Sequence, residues 1–412
     1  MDNTKILDLT DDVKWIGALD PDLVTFDVVM ETKYGTTYNS YFVDDAQKTI
    51  VETTKEKFWD IYEAKIRRLT DPAKIKYIIL NHTEPDHSGN LKNLLRIAPE
   101  ATVIGSGNAI RYLNDLLGEP FRHRIVKDGD TLNTGRKTFK FISAPNLHWP
   151  DSIYTWLEPD CVLFTCDSFG AHYCDERMFD DLVGNWDDAF KYYFDVIMKT
   201  YSKFLLKAID KIRPLPIRMI ATGHGPILRS HWKKYVDLME GYAKEYIGLP
   251  QKNRVFIPYV SAYQNTGLIA ERIAKGIRAA GDIEVEVCDI ERMPLDDIGE
   301  RIARSNGLLI GSPTINQTIL LHIFQVFALI NPIRDRGKLA AAFGSYGWSG
   351  EAEKIITANI KILKLKYMGE SFFTKFTPHS NELEKAFEFG KRFGDQFIKL
   401  IADDKMDEKL IA

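Results

Sequence analysis

Cysteine is scarce in this chain. Cys161, Cys166, Cys174 and Cys288 are the only four among 412 residues, and no two of them form a CxxC pair. So low a content suits a reducing compartment better than a disulfide framework, so a cytoplasmic location is expected. No apolar run approaches the roughly 18 residues that a membrane-spanning helix needs. The opening segment, MDNTKILDLTDDV, has neither the basic start nor the apolar stretch of a secretory leader. Neither sign of charge dominates: a net charge of −4 leaves no electrostatic footprint for nucleic acid or an anionic membrane surface. There is no internal repeat, no low-complexity segment and no GxGxxG fingerprint. The last of these absences argues against a dinucleotide site.

What is present is an ordinary globular composition, 45% hydrophobic and 27% charged, in a chain too long for a single core. Punctuation divides it near IGLPQKNR, residues 247–254. A helical stretch from His231 to Tyr246 runs into Gly248 and Pro250, and a fresh apolar strand, VFIPYV, begins at Val255. The expected domains are residues 1–250 and 254–412. In the first, TTYNSYFVDD and KTIVET read as antiparallel strands and KFWDIYEAKIRRL and NLKNLLRIA as helices, giving a layered α/β domain. In the second, RVFIPYV, EVEVCDI, GLLIG and KLAAAFG alternate with three helical patterns: TGLIAERIAKGIRAAG, a stretch after Pro313, and EAEKIITANIKILKLK. This alternation predicts a doubly wound parallel sheet whose ligands sit at the carboxyl ends of its strands.

In the first domain, short apolar runs end repeatedly in metal-capable side chains. IKYIIL leads to His82, Glu84, Asp86 and His87, TFKFISAPNL to His148, VLFTC to Asp167 and IRMIATG to His224. Pro85 argues against a helix through the first group, which is expected to leave a compact loop with Ser88 capping the helix that follows. Four imidazoles and three carboxylates exceed the ligand set of one ion and fit two ions that share a carboxylate. Two divalent ions against three carboxylates leave one positive charge, which a bridging hydroxide cancels. Oxidation of both ions leaves a buried charge of two, which is disfavoured, so the reduced pair stays within reach of a mild reductant. Imidazole suits zinc and iron alike, and the carboxylate share leans toward the harder, redox-active ion.

In the second domain three polar loops follow strands. SAYQNTG offers Ser261, Asn265 and Thr266 at a helix N-terminus, where free N–H groups and the helix dipole accept a phosphate. The loop holds no Lys or Arg, which suits a monophosphate held by neutral donors. GSPTINQT adds Ser312, Pro313, Thr314 and Asn316. GSYGWSG adds Ser345, Tyr346, Gly347 and Trp348, two of them aromatics able to stack on a flat ring, with glycines 344, 347 and 350 permitting close approach.

The order of the two sites, the series HxExDH … H … D … H, and the segments LHWPDS and FGSYGWSG together resemble the flavodiiron proteins (A-type flavoproteins), over essentially the whole chain. The resemblance implies a metallo-β-lactamase-like αββα domain followed by a flavodoxin-like domain. It implies FMN and two non-haem irons, with His82, Glu84 and His148 on one iron, Asp86, His87 and His224 on the other, and Asp167 bridging. Zinc hydrolases of this fold usually carry a histidine where Glu84 stands. His172, in FGAHYC, lies five residues past the bridging aspartate and is a candidate either to line the site or to be an ordinary surface or core histidine. His123, His231, His322 and His379 belong to no constellation. Gln264 stands where many members have glycine. The implied activity is reduction of dioxygen to water, of nitric oxide to nitrous oxide, or both, with oxygen favoured. Rubredoxin or reduced coenzyme F420 would be a separate electron donor, since neither a rubredoxin nor a flavin reductase module is expected within the chain. A head-to-tail homodimer, or a dimer of such dimers, would bring the flavin of one chain to the irons of the other. Two alternatives stand beside this reading: a dizinc hydrolase with an appended flavodoxin-like domain, and an electron-carrying flavoprotein with a structural metal.

Overall fold

The computed structural model describes residues 1–26, 30–248 and 253–411. They form two units, Met1–Gly248 and Leu249–Ala412. The expected change of domain between residues 250 and 254 begins outside the described residues.

Unit 1 holds a seven-stranded and a five-stranded sheet. The first runs in the order Leu7–Asp8, Val13–Trp15, Tyr41–Val43, Lys48–Val51, Ile75–Ile79, Thr102–Gly105, His123–Ile125. The second runs Thr131–Asn133, Thr138–Ser143, Ile153–Glu158, Val162–Cys166, Met219–Thr222. Alternation along the strands makes the layers. Tyr41, Val43, Val51, Ile79 and Ile104 meet Phe139, Phe141, Leu157 and Phe164 between the sheets. Their neighbours Phe42, Ile50, Ile78 and Val103 turn outward to the helices Trp59–Leu69, Leu91–Ile97 and Gly107–Leu117. On the other side Tyr154, Trp156, Leu163 and Ile220 pack on the helices Asp187–Tyr193, Ser202–Ile212 and Trp232–Gly248. The architecture is αββα.

Unit 2 is a parallel sheet in the order Glu284–Asp289, Arg254–Tyr259, Gly307–Gly311, Leu339–Tyr346, with Lys366–Tyr367 and Phe372–Lys375 both on the far edge of Leu339–Tyr346. In order of succession this is 2-1-3-4-5, whose switch point lies between the strands Arg254–Tyr259 and Gly307–Gly311. Phe256, Leu308, Ile310, Ala340 and Ala342 face one helical layer, and Val255, Ile257, Leu309, Ala341 and Phe343 face the helices Asn265–Ala280 and Ser380–Ile411.

Three local expectations are corrected. Pro85 does not prevent a helical turn: Pro85–Ser88 is one, with Glu84 at its N-cap. Proline at the first helical position loses no hydrogen bond and brings a suitable φ. Ser88 caps nothing, because its hydroxyl donates back to the carbonyls of Thr83 and Glu84, and Asn90 precedes the helix Leu91–Ile97. The EAEKIITANIKILKLK pattern is helical only over Glu351–Ile362. Lys364 then takes a left-handed φ of 62°, and Lys366–Tyr367 pairs with the sheet. The helices Leu295–Arg304 and Ser380–Ile411 are further elements that the strand–helix alternation did not single out.

Candidate functional site

The metal-capable side chains converge at strand ends of both sheets in unit 1. Asp167 directly follows the strand Val162–Cys166, and His224 comes two residues after Met219–Thr222. Asn39 pins the latter segment by donating to the carbonyls of Thr222 and Gly225 at 3.0 and 3.1 Å. Gly223 is required there, because a Cβ would stand 2.8 Å from His87 Cε1 and 2.9 Å from the Cys166 carbonyl carbon.

The seven donors fall into two sets, and Asp167 belongs to both. In one, Glu84 Oε2 lies 3.1 Å from His82 Nε2 and 3.0 Å from His148 Nε2, and Asp167 Oδ2 lies 3.6 Å from each of those nitrogens. In the other, Asp86 Oδ2 is 3.1 Å from His224 Nε2 and 3.5 Å from His87 Nε2, while Asp167 Oδ1 is 3.4 and 3.0 Å from the same two nitrogens. Metal–ligand arms of about 2.1 Å give ligand–ligand edges of about 3.0 Å in an octahedron and 3.4 Å in a tetrahedron. The nitrogen–oxygen distances within each set, 3.0 to 3.6 Å, are close to those edges. The donor chemistry fits as well: both carboxylate oxygens of Asp86 and Oδ2 of Asp167 are buried without a hydrogen-bond partner, a costly arrangement unless a cation receives them.

The electrostatics agree. Burial alone would lower the pKa of His82, yet its hydrogen bonds with Asp151 and Glu84 raise it well above the usual value. For His87 burial is likewise outweighed, here by Asp86 and Asp167, and the pKa rises to about 10. Against its own burial, Asp167 is held well below the carboxylate range, chiefly by His87. Protons on the imidazoles thus balance the carboxylates, and a divalent ion that took over this task would displace them.

Groups outside the seven orient them. Asp151, in LHWPDS, lies 3.1 Å from His82 Nδ1 and also accepts from the N–H and hydroxyl of Thr83. His224 Nδ1 lies 2.6 Å from the Thr37 carbonyl oxygen. Both contacts leave Nε2 as the donor atom. The Tyr193 hydroxyl donates to Asp167 Oδ1 at 3.3 Å, and its proton is retained because burial and Asp167 raise its pKa. Sequence reasoning gave no role to Asp151, Thr37 or Tyr193. Only Asp151 carried a signal, through its place in LHWPDS. His172 is buried, 2.9 Å from Thr36 Oγ1, stacked on Phe26 and 5.2 Å from the His224 ring between centroids. Burial pushes its pKa down to about 3. Of the unassigned histidines, His231 pairs with Asp180 and His123 lies on the exposed edge strand.

In unit 2 the three polar loops follow the strands Arg254–Tyr259, Gly307–Gly311 and Leu339–Tyr346, on either side of the switch point. Gln264 precedes the helix Asn265–Ala280 at φ 64° and makes no side-chain cap; the left-handed turn that glycine favours is formed here by a residue with a side chain. The Ser261 hydroxyl accepts from the Gly267 N–H at 3.3 Å, and the Thr266 and Ser345 hydroxyls lie 3.2 Å apart, joining the first and third loops. The Thr314 N–H donates to the Ser345 carbonyl at 2.9 Å, joining the second and third. Ser312 is fully buried, its hydroxyl donating to the Pro313 carbonyl and accepting from the Leu320 N–H. Asn316 sits exposed at φ 53°. Of the three glycines in the last loop only Gly344 is crowded within the chain: a Cβ there would stand 2.0 Å from the Ser312 carbonyl oxygen. Tyr346 and Gly347 are half-buried, and Trp348 is 87% exposed. Tyr263 and Phe376, which sequence reasoning passed over, are 85% and 58% exposed. Tyr263 at least had a visible signal, as an aromatic in a loop after a strand.

Comparison with known proteins accounts for both halves. The model of the ODP family beta lactamase matches residues 36–225, and that of flavodoxin matches residues 257–390. Type A flavoprotein FprA of Rhodobacter capsulatus is 38% identical over 406 residues, covering 97% of this chain and 93% of the relative. Flavo-diiron protein FprA2 of Clostridium acetobutylicum is 38% identical over 399 residues, with 93% and 98% covered. A nitric oxide reductase of Moorella thermoacetica is 32% identical over 393 residues, with 93% and 97% covered. Among solved structures, the rubredoxin oxygen:oxidoreductase of Desulfovibrio gigas superposes with a TM-score of 0.67 at 25% identity, covering 97% of this chain and all of that one. The chain belongs to the flavodiiron (type A flavoprotein) family of oxidoreductases, whose cofactors are FMN and a pair of non-haem irons.

Proposed function

We propose that this oxidoreductase reduces dioxygen to water as its favoured reaction and also reduces nitric oxide to nitrous oxide, drawing electrons from a separate donor such as rubredoxin or reduced coenzyme F420. The observation that carries the reading is the placement of Asp167, one oxygen turned to each donor set. His82, Glu84 and His148 would hold one iron, Asp86, His87 and His224 the other. Two irons held there side by side would supply electrons in pairs, and FMN held in the second unit would supply their replacement.

The chain's own residues prepare the reaction. Asp151 and the Thr37 carbonyl fix the tautomers of His82 and His224. Tyr193 holds a proton on its hydroxyl beside Asp167. His148, with its side chain 20% exposed, is the donor that solvent reaches most, so small gases are expected to enter on its side. Ser261, Asn265 and Thr266 would take the FMN phosphate, helped by Ser312, Pro313, Thr314 and Asn316, while Ser345, Tyr346, Gly347 and Trp348 would border the flavin ring. We propose further that the working form is a head-to-tail homodimer, or a dimer of such dimers, in the cytoplasm. A dizinc hydrolase is not favoured, since the relatives that span this chain are named as oxidoreductases.

The test is anaerobic. The fully reduced protein is mixed with O₂ in one portion and with NO in another, and flavin reoxidation is followed. Faster reoxidation by O₂ without released peroxide supports the proposal, and faster reoxidation by NO overturns the stated preference.

A further inference from the structure

Two of the iron-facing imidazoles have a visible partner on their outer nitrogen: Asp151 for His82 and the Thr37 carbonyl for His224. For His87, Nε2 faces Asp167 and Asp86, while Nδ1 is buried without a hydrogen-bond partner. Glu52 lies beside it, 1% exposed. One carboxylate oxygen, Oε1, accepts the Asn81 N–H at 2.8 Å, and the other, Oε2, is buried and also without a partner. A Glu52 oxygen, a His87 ring nitrogen and Cys166 Sγ lie within 4.8 Å of one another. Two neighbouring, fully buried side chains thus each carry an orphaned atom, one a natural donor and one a natural acceptor. The sulfur of Cys166 is a weak acceptor and does not substitute for a carboxylate.

Two features of the backbone point the same way. Glu52 takes a φ of 58°, a left-handed conformation uncommon for a residue with a long side chain. Its neighbour Thr53 clamps the His87 carbonyl through both its N–H (2.8 Å) and its hydroxyl (2.6 Å). The segment after the strand Lys48–Val51 therefore fixes the His87 main chain and presents a carboxylate toward the ring.

We propose that Glu52 is the positioning residue for His87: in the metal-loaded protein its Oε2 accepts the Nδ1–H and thereby commits Nε2 to the metal. This rests on the diiron reading above. Glu52 decides whether His87 serves as a ligand, and with it the affinity of the iron site shared by Asp86 and His224. The action is indirect, since the carboxylate fixes tautomer and ring orientation.

The substitution Glu52→Gln is a sharp probe because it keeps size and shape. The amide oxygen remains opposite the Asn81 N–H, so the NH₂ group faces His87. That favours the tautomer with its proton on Nε2, which cannot bind iron. Apoprotein is titrated anaerobically with ferrous ion alone, and the two sites are followed by Mössbauer spectroscopy, with FMN content and circular dichroism as folding controls. Glu52→Gln is expected to weaken one of the two ferrous sites by about 10–100-fold while the other is unchanged. His87→Ala should weaken the same site, and the double variant should bind no worse than His87→Ala. Unchanged ferrous binding in Glu52→Gln overturns the proposal. So do additive losses in the double variant, which would mean a general structural role for Glu52. If the unsubstituted protein shows no second ferrous site at all, the diiron reading itself fails, an outcome distinct from the other two.

Discussion

The candidate metal centre is lined by buried ionisable donors, whereas the loops proposed to hold the flavin combine buried neutral hydroxyls, those of Thr266, Ser312 and Ser345, with exposed aromatics. Of the seven metal-facing side chains only Glu84 and His148 reach 10% exposure, and their charges balance one another across distances of 3.0 to 3.6 Å. At the carboxyl edge of unit 2, Tyr263 and Trp348 are almost fully exposed, and the polar groups are hydroxyls and main-chain amides that largely satisfy each other. A cation site made of buried carboxylates is unstable when empty. A site for a flat, neutral-donor ligand costs little when empty. The two halves should therefore respond differently to loss of their cofactors and to substitution.

The largest contrast is expected from Asp167→Ala. Because that carboxylate belongs to both donor sets, the variant should lose both irons and gas-reducing activity yet keep FMN, as metal analysis beside flavin absorbance will show. Full iron content would dissolve the distinction between the halves. Removing iron by chelation comes next. It should lower the melting temperature of unit 1 by roughly 5–10 °C and leave the flavin-domain transition in place, which calorimetry will resolve. Asp151→Asn keeps a hydrogen-bonding group against His82 but weakens its basicity, and iron affinity should fall by about 10–100-fold with FMN binding unaltered. In the other half, Thr266→Val removes one neutral hydroxyl and should weaken FMN by roughly fivefold with no change in iron.

The last expected effect lies away from both sites. Burial lowers Lys65 to about 7, and its Nζ lies over the Trp15 ring, 4.3 Å from the centroid. Between that value and the ordinary lysine pKa of about 10.4 the unfolded chain binds more protons than the folded one, so stability should rise as pH climbs above about 7. Lys65→Met should flatten this rise in denaturant titrations.

How much of this was readable beforehand follows from the same contrast. Ligand-type side chains at the ends of VLFTC and IRMIATG were legible because charged groups directly after apolar strands are improbable without a partner. The parallel sheet of unit 2 was legible from alternation. The turn Pro85–Ser88 was not, since proline at a first helical position looks the same in sequence as proline in a loop. Nor was the stop at Ile362, where Lys364 takes a left-handed conformation without a glycine to announce it. The orienting groups were least legible. Thr37 acts through its carbonyl, which every residue has, and Tyr193 approaches Asp167 from 26 residues away.

The most direct test of the central claim, that one carboxylate joins two ion sites, is electron paramagnetic resonance of the holoprotein poised anaerobically at half reduction of the metal centre, with iron and FMN determined on the same sample. The account predicts two irons and one FMN per chain, with a mixed-valent signal from two exchange-coupled irons. An isolated high-spin ferric signal with one iron per chain, or zinc in place of iron, would contradict it.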